Sequence, residues 1–240
     1  MSKKTTIILF YCGVALVCAA ILCVVNFIIV PNIKANAQET EAFQDVRVQR
    51  EKQWYPIAKD LAATNQAGEK VKLSDLRGKV WVVDEFFAVC PQCAVRNGAE
   101  LRAIYDEFKA DPDFQMVCIS VDPEKDNGER LKDYATALGA DSPKWWFLNA
   151  GDEKATHEYL TGTLKFMDIR ERTDPADIQA NGKFSHDMGL MVVDRDFNVI
   201  GKWSLAAARS EEGKKLDPGQ YDRLRKDLFE RIRAELGKKE

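Results

Sequence analysis

A chain of 240 residues suits one domain with appendages, or at most two small domains. With 45% hydrophobic and 30% charged residues it is ordinary globular protein, which excludes a disordered or collagen-like chain. A formal net charge of −3 leaves no basic excess for phosphate binding, so nucleic acid is not an expected partner.

The first feature in chain order is apolar. Ile7 to Val30 is interrupted only by Asn26, and at about 1.5 Å rise per residue it spans a hydrocarbon core of roughly 30 Å. Lys3 and Lys4 precede it and no acid occurs before Ala37, which orients the tip (1–6) to the cytoplasm and the rest outside. Ala35-Asn36-Ala37 has the form of a signal cleavage site, but the apolar run is far longer than a secretory h-region. An uncleaved anchor over 7–30 is therefore expected, with a polar linker over 31–53. The domain that follows, 54–240, would face an extracytoplasmic, oxidising space where thiol redox state matters.

From Trp54 the pattern becomes compact. Asn65-Gln66-Ala67-Gly68 reads as a turn between two short strands. Val80 to Val83 is an unbroken run of β-formers, the mark of a buried central strand. Leu101, Ile104, Tyr105 and Phe108 repeat at helical spacing, and Phe114 to Val121 is a second buried strand. Leu131, Tyr134, Ala135 and Leu138 predict another helix, stopped by Gly139. Trp145 to Leu148 reads as a third strand, and Asp152 to about Phe166 as a helix.

Asp168 to Lys183 is polar without a period, long enough to act as a mobile flap. Leu190 to Val193 and Val199 to Trp203 form an expected hairpin, and Leu224, Leu228, Ile232 and Leu236 mark a terminal helix. Strands alternating with helices, then a hairpin and a helix, predict an α/β sandwich around one sheet.

Of the six cysteines, three lie in the apolar run (Cys12, Cys18, Cys23), where they act as membrane-compatible filler. Cys118 in its strand reads as a small core residue. Cys90 and Cys93 form a C-x-x-C pair, with Pro91 at a favoured first helical position. That places Cys90 near a helix N-terminus, where free N–H groups and the dipole stabilise a thiolate. Redox chemistry or metal binding is the expected use, a static disulfide the alternative.

Asp84 lies six residues before Cys90. In a buried strand it would accept a proton from the resolving thiol; at a sheet edge it would merely bond a backbone N–H or a lysine. His157, within a charged helical segment, reads as a surface residue. His186 by residue type alone reads as a satisfied loop histidine, and Asp122-Pro123 as a turn and capping element.

Val80 to Cys93 resembles the thioredoxin-like superfamily, and roughly Trp54 to Trp203, together with the membrane anchor, is more similar to the Sco/SenC group of copper-handling proteins. Three stretches carry this: VWVVDEFFAVCP (Val80 to Pro91), CISVDPEKDNGERLKDYATALGA (Cys118 to Ala140) with WWFL after it, and HDMGLMVVDRDFNVIGKW (His186 to Trp203). In that family a histidine stands eight residues before the aspartate that ends L-x-x-D, and here His186 stands eight before Asp194, which ends Leu190-Met191-Val192-Val193-Asp194.

The resemblance implies a thioredoxin-like sandwich with a central mixed sheet, preceded by one transmembrane helix. It implies one copper ion, Cu(I) or Cu(II), held by Cys90, Cys93 and His186, and a role in assembling the copper site of a respiratory cytochrome oxidase. The expected partner is the copper-bearing oxidase subunit or another thiol or copper client. Thiolates are soft ligands selecting Cu(I), and an added imidazole accommodates Cu(II).

Two departures stand out. The family usually spaces its cysteines by three residues with proline after the second, whereas Pro91 and Gln92 alone intervene here and Ala94 follows. Thioredoxins carry a cis-proline where this chain has Met188, whose thioether is a candidate auxiliary ligand or a packing group. The competing reading is a metal-independent thiol-disulfide oxidoreductase of the cytochrome-maturation type. A thiol peroxidase is disfavoured, since Phe86 to Val89 lacks that chemistry's Pro-x-x-x-Thr-x-x-Cys pattern.

Overall fold

The computed structural model describes residues 55–88 and 97–238. The chain divides into units 1–50 and 51–240, and the described residues belong to the second. The expected anchor (7–30), the linker (31–53) and the pair Cys90 and Cys93 lie outside the described residues. Among the described residues no helix is long and apolar enough to cross a membrane.

Short strands open the domain: β1 (Tyr55–Pro56), β2 (Ala62–Thr64) and β3 (Lys70–Lys72). The predicted turn between β2 and β3 forms because the Asn65 side chain accepts from the N–H groups of Ala67 and Glu69, both at 3.0 Å. A 3₁₀ turn, Leu73–Leu76, leads to β4 (Val80–Phe86), all of whose residues are buried. Then come α1 (Gly98–Phe108), β5 (Phe114–Ser120), α2 (Gly128–Leu138), β6 (Trp145–Leu148) and α3 (Glu153–Gly162). Gly139 ends α2 as expected, at φ 64°, where its N–H bonds back to the last turn.

The predicted helix over 152–166 stops at Gly162. Leu164 and Phe166 keep the apolar character of that stretch, but they turn into the core instead of continuing the helix. The polar stretch read as a flap is structured: β7 (Arg170–Glu171), α4 (Pro175–Asn181) and β8 (Phe184–Ser185) fold as a small unit. Its period escaped detection because each piece is short and α4 buries no residue. The hairpin β9 (Leu190–Val193) and β10 (Asn198–Trp203) follows, then α5 (Leu205–Arg209), α6 (Glu211–Leu216) and α7 (Gln220–Leu236).

The main sheet has the order β1-β10-β9-β4-β5-β6. β4, β5 and β6 run parallel, joined through α1 and α2, while β9 lies antiparallel to β4 and β10 antiparallel to β9. The sheet is therefore mixed, with β4 in its interior. One core, containing Trp81, Val83, Leu160 and Met191, lies on the face covered by α3. The other, containing Val80, Val82, Phe86, Leu101, Leu131 and Ile232, lies on the face covered by α1, α2 and α7. Strand alternation of period two sends successive β4 residues into opposite cores. This is the α/β sandwich expected from the sequence.

Candidate functional site

Alternation also separates the two acids of β4. Asp84 points to the side of Val82 and Phe86, Glu85 to the side of Val83 and Phe87. Asp84 is 2% exposed and sits on an interior strand, so the sheet-edge alternative is excluded. Its register partner on β5 is Cys118, whose sulfur accepts from the Trp145 indole N–H at 3.1 Å. Burial pushes the Asp84 carboxyl up to about 7, against a hydrogen bond from Cys118 and the field of His186, which both favour the anion. Its Oδ1 has no hydrogen-bond partner. The Cys118 thiol, a core residue as predicted, is held well above its ordinary range by burial and by the neighbouring Asp84 charge.

On the opposite face Glu85 meets His186. The two side chains are 0% and 4% exposed, with His186 Nδ1 3.6 Å from Glu85 Oε1. The imidazole stands edge-on to the Phe87 ring, centroids 5.5 Å apart. Its Nδ1 is 2.7 Å from the carbonyl oxygen of Asp187, and the Asp187 N–H donates to Glu85 Oε1. Burial raises the Glu85 carboxyl, while the hydrogen bond and charge of His186 oppose that rise. Asp187 is lowered although burial works against it, because Lys202 on β10 pairs with it and backbone N–H groups donate to it. Those donors are Met167 at 3.0 Å and Gly189 at 2.8 Å.

The sequence brings a distant histidine to the end of β4 because β9, which follows it, pairs antiparallel with β4. The residues just before β9 must then lie beside the residues just after Val83. His186 is thus buried against the strand that precedes the cysteine segment in the chain.

The described flanks of the cysteine segment are held from several sides. β4 ends at Phe86, and two residues on, the Ala88 N–H donates to the Asp126 carboxylate at 3.0 Å. The same Asp126 oxygen accepts from Ser120 Oγ at 2.6 Å. On the far side Asn97, the residue before α1, donates through Nδ2 to the carbonyl oxygen of Met188 at 3.1 Å. This ties the start of α1 to the His186 loop. Glu100, in the first turn of α1, is buried and paired with Tyr221 and with Arg225 at 3.2 Å. Replacing Asp126 by alanine strands the Ala88 N–H and the Ser120 hydroxyl, and is expected to cost about 2–3 kcal/mol in urea denaturation.

Other expectations need correction. His157 is half-buried rather than fully exposed: its Nε2 lies 2.6 Å from the Val121 carbonyl oxygen and its ring packs edge-on against Phe184. Nor does Asp122 cap a helix. It is 2% exposed with Oδ1 unpartnered, and the N-cap of α2 is Asn127, whose side chain accepts from the Arg130 N–H. Glu85, Asp187 and Lys202 went unnoticed in the sequence. The signal for Glu85 was present as a second charge, D-E, inside an otherwise apolar strand; Lys202 carries none, since its partner is set by the β9–β10 hairpin. Among the described residues no group of three or more His, Cys, Asp or Glu side chains is arranged to hold a metal.

Comparison with known proteins agrees with this architecture. The Bacillus subtilis (strain 168) SCO1 protein homolog is 29% identical over 102 residues, which is 42% of this chain and 53% of the relative. The match thus spans about half the length of that curated relative. Among solved structures, BsSco, described as a member of the Sco family of cytochrome c oxidase assembly proteins, superposes with a TM-score of 0.56 at 22% identity, over 77% of this chain and 95% of its own. Arabidopsis thaliana ScoI, solved with copper bound, superposes at 0.53 with 18% identity, over 74% of this chain and 99% of its own. Both likenesses confirm the thioredoxin-like fold. The SCO1/SenC family model matches residues 49–217, which takes in every strand, the His186 loop and the segment between Ala88 and Asn97: the chain belongs to the SCO1/SenC family.

Proposed function

We propose that this protein is a membrane-anchored, extracytoplasmic Sco-type protein that handles copper, and through it the thiols, of a cytochrome oxidase subunit during assembly of that subunit's copper site. The observation that carries this reading is the buried His186 imidazole, set beside Glu85 and Phe87 at the end of β4. The donor set fits the cargo. Cys90 and Cys93 supply two soft thiolates for Cu(I), and His186 supplies the harder nitrogen that also suits Cu(II). The copper-bound Arabidopsis relative and the assembly role stated for BsSco support it. The apolar run 7–30 precedes the region the family model matches, which fits an anchor, a linker and a functional domain in that order.

In this reading Cys90 and Cys93 would grip the cargo and yield it thiolate by thiolate to the client's cysteines, and His186 would supply the nitrogen donor that suits Cu(II). The Phe87 ring packs edge-on against His186 and covers that side of the imidazole.

A second reading, thiol-disulfide exchange, is favoured by one observation: a buried acid poised near neutrality six residues before Cys90. The Cys90 thiolate attacks the client's disulfide and expels one client thiolate. Cys93, its proton taken by Asp84, then attacks the Cys90 sulfur and expels the second. Two electrons pass to the client, whose thiols gain the protons, and the protein is left oxidised at the pair.

Copper titration of the reduced full-length chain in mild detergent separates the two. Copper handling predicts one equivalent of Cu(II) bound with thiolate charge-transfer absorption, and a loss of at least ~100-fold in affinity on His186→Ala. Disulfide reduction at full rate with no copper signal, unaffected by His186→Ala, would leave only the exchange reading.

A further inference from the structure

We infer that Glu85 is a positioning residue for the His186 imidazole, clamped through Asp187 and Lys202 so that the ring presents Nε2 to the metal. This rests on the copper reading above. A carbonyl oxygen only accepts hydrogen bonds, so at 2.7 Å from the Asp187 carbonyl Nδ1 carries the ring proton. The neutral imidazole then has its lone pair on Nε2. Glu85 Oε1, 3.6 Å from Nδ1, faces the protonated side of the ring. An acceptor behind a ligating histidine fixes both tautomer and orientation.

The same carboxylate oxygen takes the Asp187 N–H, so Glu85 holds the ring and the backbone immediately after it together. Its other oxygen has no hydrogen-bond partner. Among the described residues, the polar contacts of Glu85 are therefore all in the His186 loop. Asp187 is fixed in turn. Its side chain takes the N–H groups of Met167 and Gly189 and pairs with Lys202, only 15% exposed, from β10. The peptide after His186 is thus anchored to β4, β10 and the segment following α3. A mobile ring would have to be ordered each time copper arrived; this one is ordered beforehand. Nothing in the arrangement requires Glu85 to touch the metal.

The test uses the reduced full-length chain, titrated anaerobically with Cu(II) alone and followed by absorption and electron paramagnetic resonance. His186→Ala, measured in parallel, reports on the copper reading itself. Glu85→Ala is expected to lower Cu(II) affinity 10- to 100-fold and to alter the copper hyperfine splitting. Glu85→Gln, which keeps an acceptor for the Asp187 N–H, should retain the parental spectrum with affinity within about threefold. Should Glu85→Ala fail to fold, Lys202→Met releases the same clamp from the β10 side and is expected to give the same loss. Parental affinity and spectrum in a folded Glu85→Ala or Lys202→Met chain, while His186→Ala abolishes binding, overturns the positioning role and leaves the copper reading standing. Unchanged binding in His186→Ala overturns both.

Discussion

Replacing Asp84 by asparagine should stabilise the reduced, copper-free protein at pH 8 by about 2–4 kcal/mol and flatten its stability between pH 4 and pH 7. In the folded state the carboxyl titrates at about 7 instead of 3.8, chiefly because it is buried. The unfolded chain therefore releases this proton near pH 4, while the native chain keeps it to near pH 7. Between those limits the native state binds more protons, so stability falls as pH rises. A rise from 3.8 to about 7 is worth about 4 kcal/mol at about 1.4 kcal/mol per tenfold. Asparagine carries no charge to desolvate and keeps an acceptor for the Cys118 thiol. Below pH 4 the two proteins should differ little. Urea unfolding at pH 4, 5.5, 7 and 8 reads this directly, and parallel curves for parent and variant would show that Asp84 is not held protonated. If thiol-disulfide exchange is the working chemistry, the stabilised variant should also exchange more slowly, having lost the acceptor for the Cys93 proton.

Gly182→Ala is expected to cost about 2–6 kcal/mol and to detach the small β7–α4–β8 unit from the His186 face. Gly182 ends α4 at φ 81° and ψ 175°, a region populated essentially by glycine and worth 1–3 kcal/mol of strain to other residues. A Cβ there would stand 2.2 Å from Cε2 of Phe87. That ring cannot retreat: it is 1% exposed and packed edge-on to His186. Overpacking adds roughly 1–3 kcal/mol more. Gly151 supplies the control, since it has φ 91° with nothing within 4 Å of the added Cβ, so Gly151→Ala carries backbone strain alone. In hydrogen exchange the Arg172 and Gly182 amides, which bond to Lys183 and Ile178 at 2.8 Å, should lose protection in Gly182→Ala. Equal destabilisation by the two substitutions would mean that the Phe87 contact carries no weight.

Both effects arise at the end of β4, and they bear differently on what could be read beforehand. Elements whose hydrophobic period is strong were legible: β4, β5, β6, α1, α2, the β9–β10 hairpin and α7 all fall where apolar spacing puts them. The unit built from β7, α4 and β8 was not, because its pieces are two to seven residues long and it is held by Gly182 on Phe87 and by Arg172 to the carbonyls of Asn181, Gly182 and Phe184. Such contacts leave no periodicity. The short helices α5 and α6 escaped for the same reason.

The sequence by itself determined the alternation of strands and helices and the burial of the strand carrying Asp84, which are local facts written in residue type and spacing. Through the family resemblance it also supplied the expectation that the C-x-x-C motif works with a distant histidine. Only the tertiary structure decided that Glu85 meets His186, that His186 is clamped by Glu85, Asp187 and Lys202, and that His157 is half-buried against Val121 and Phe184. Each of those depends on which strands become neighbours: the antiparallel docking of β9 on β4 joins residues a hundred positions apart, and the hydrogen-bond partners it creates have no trace in either segment read alone.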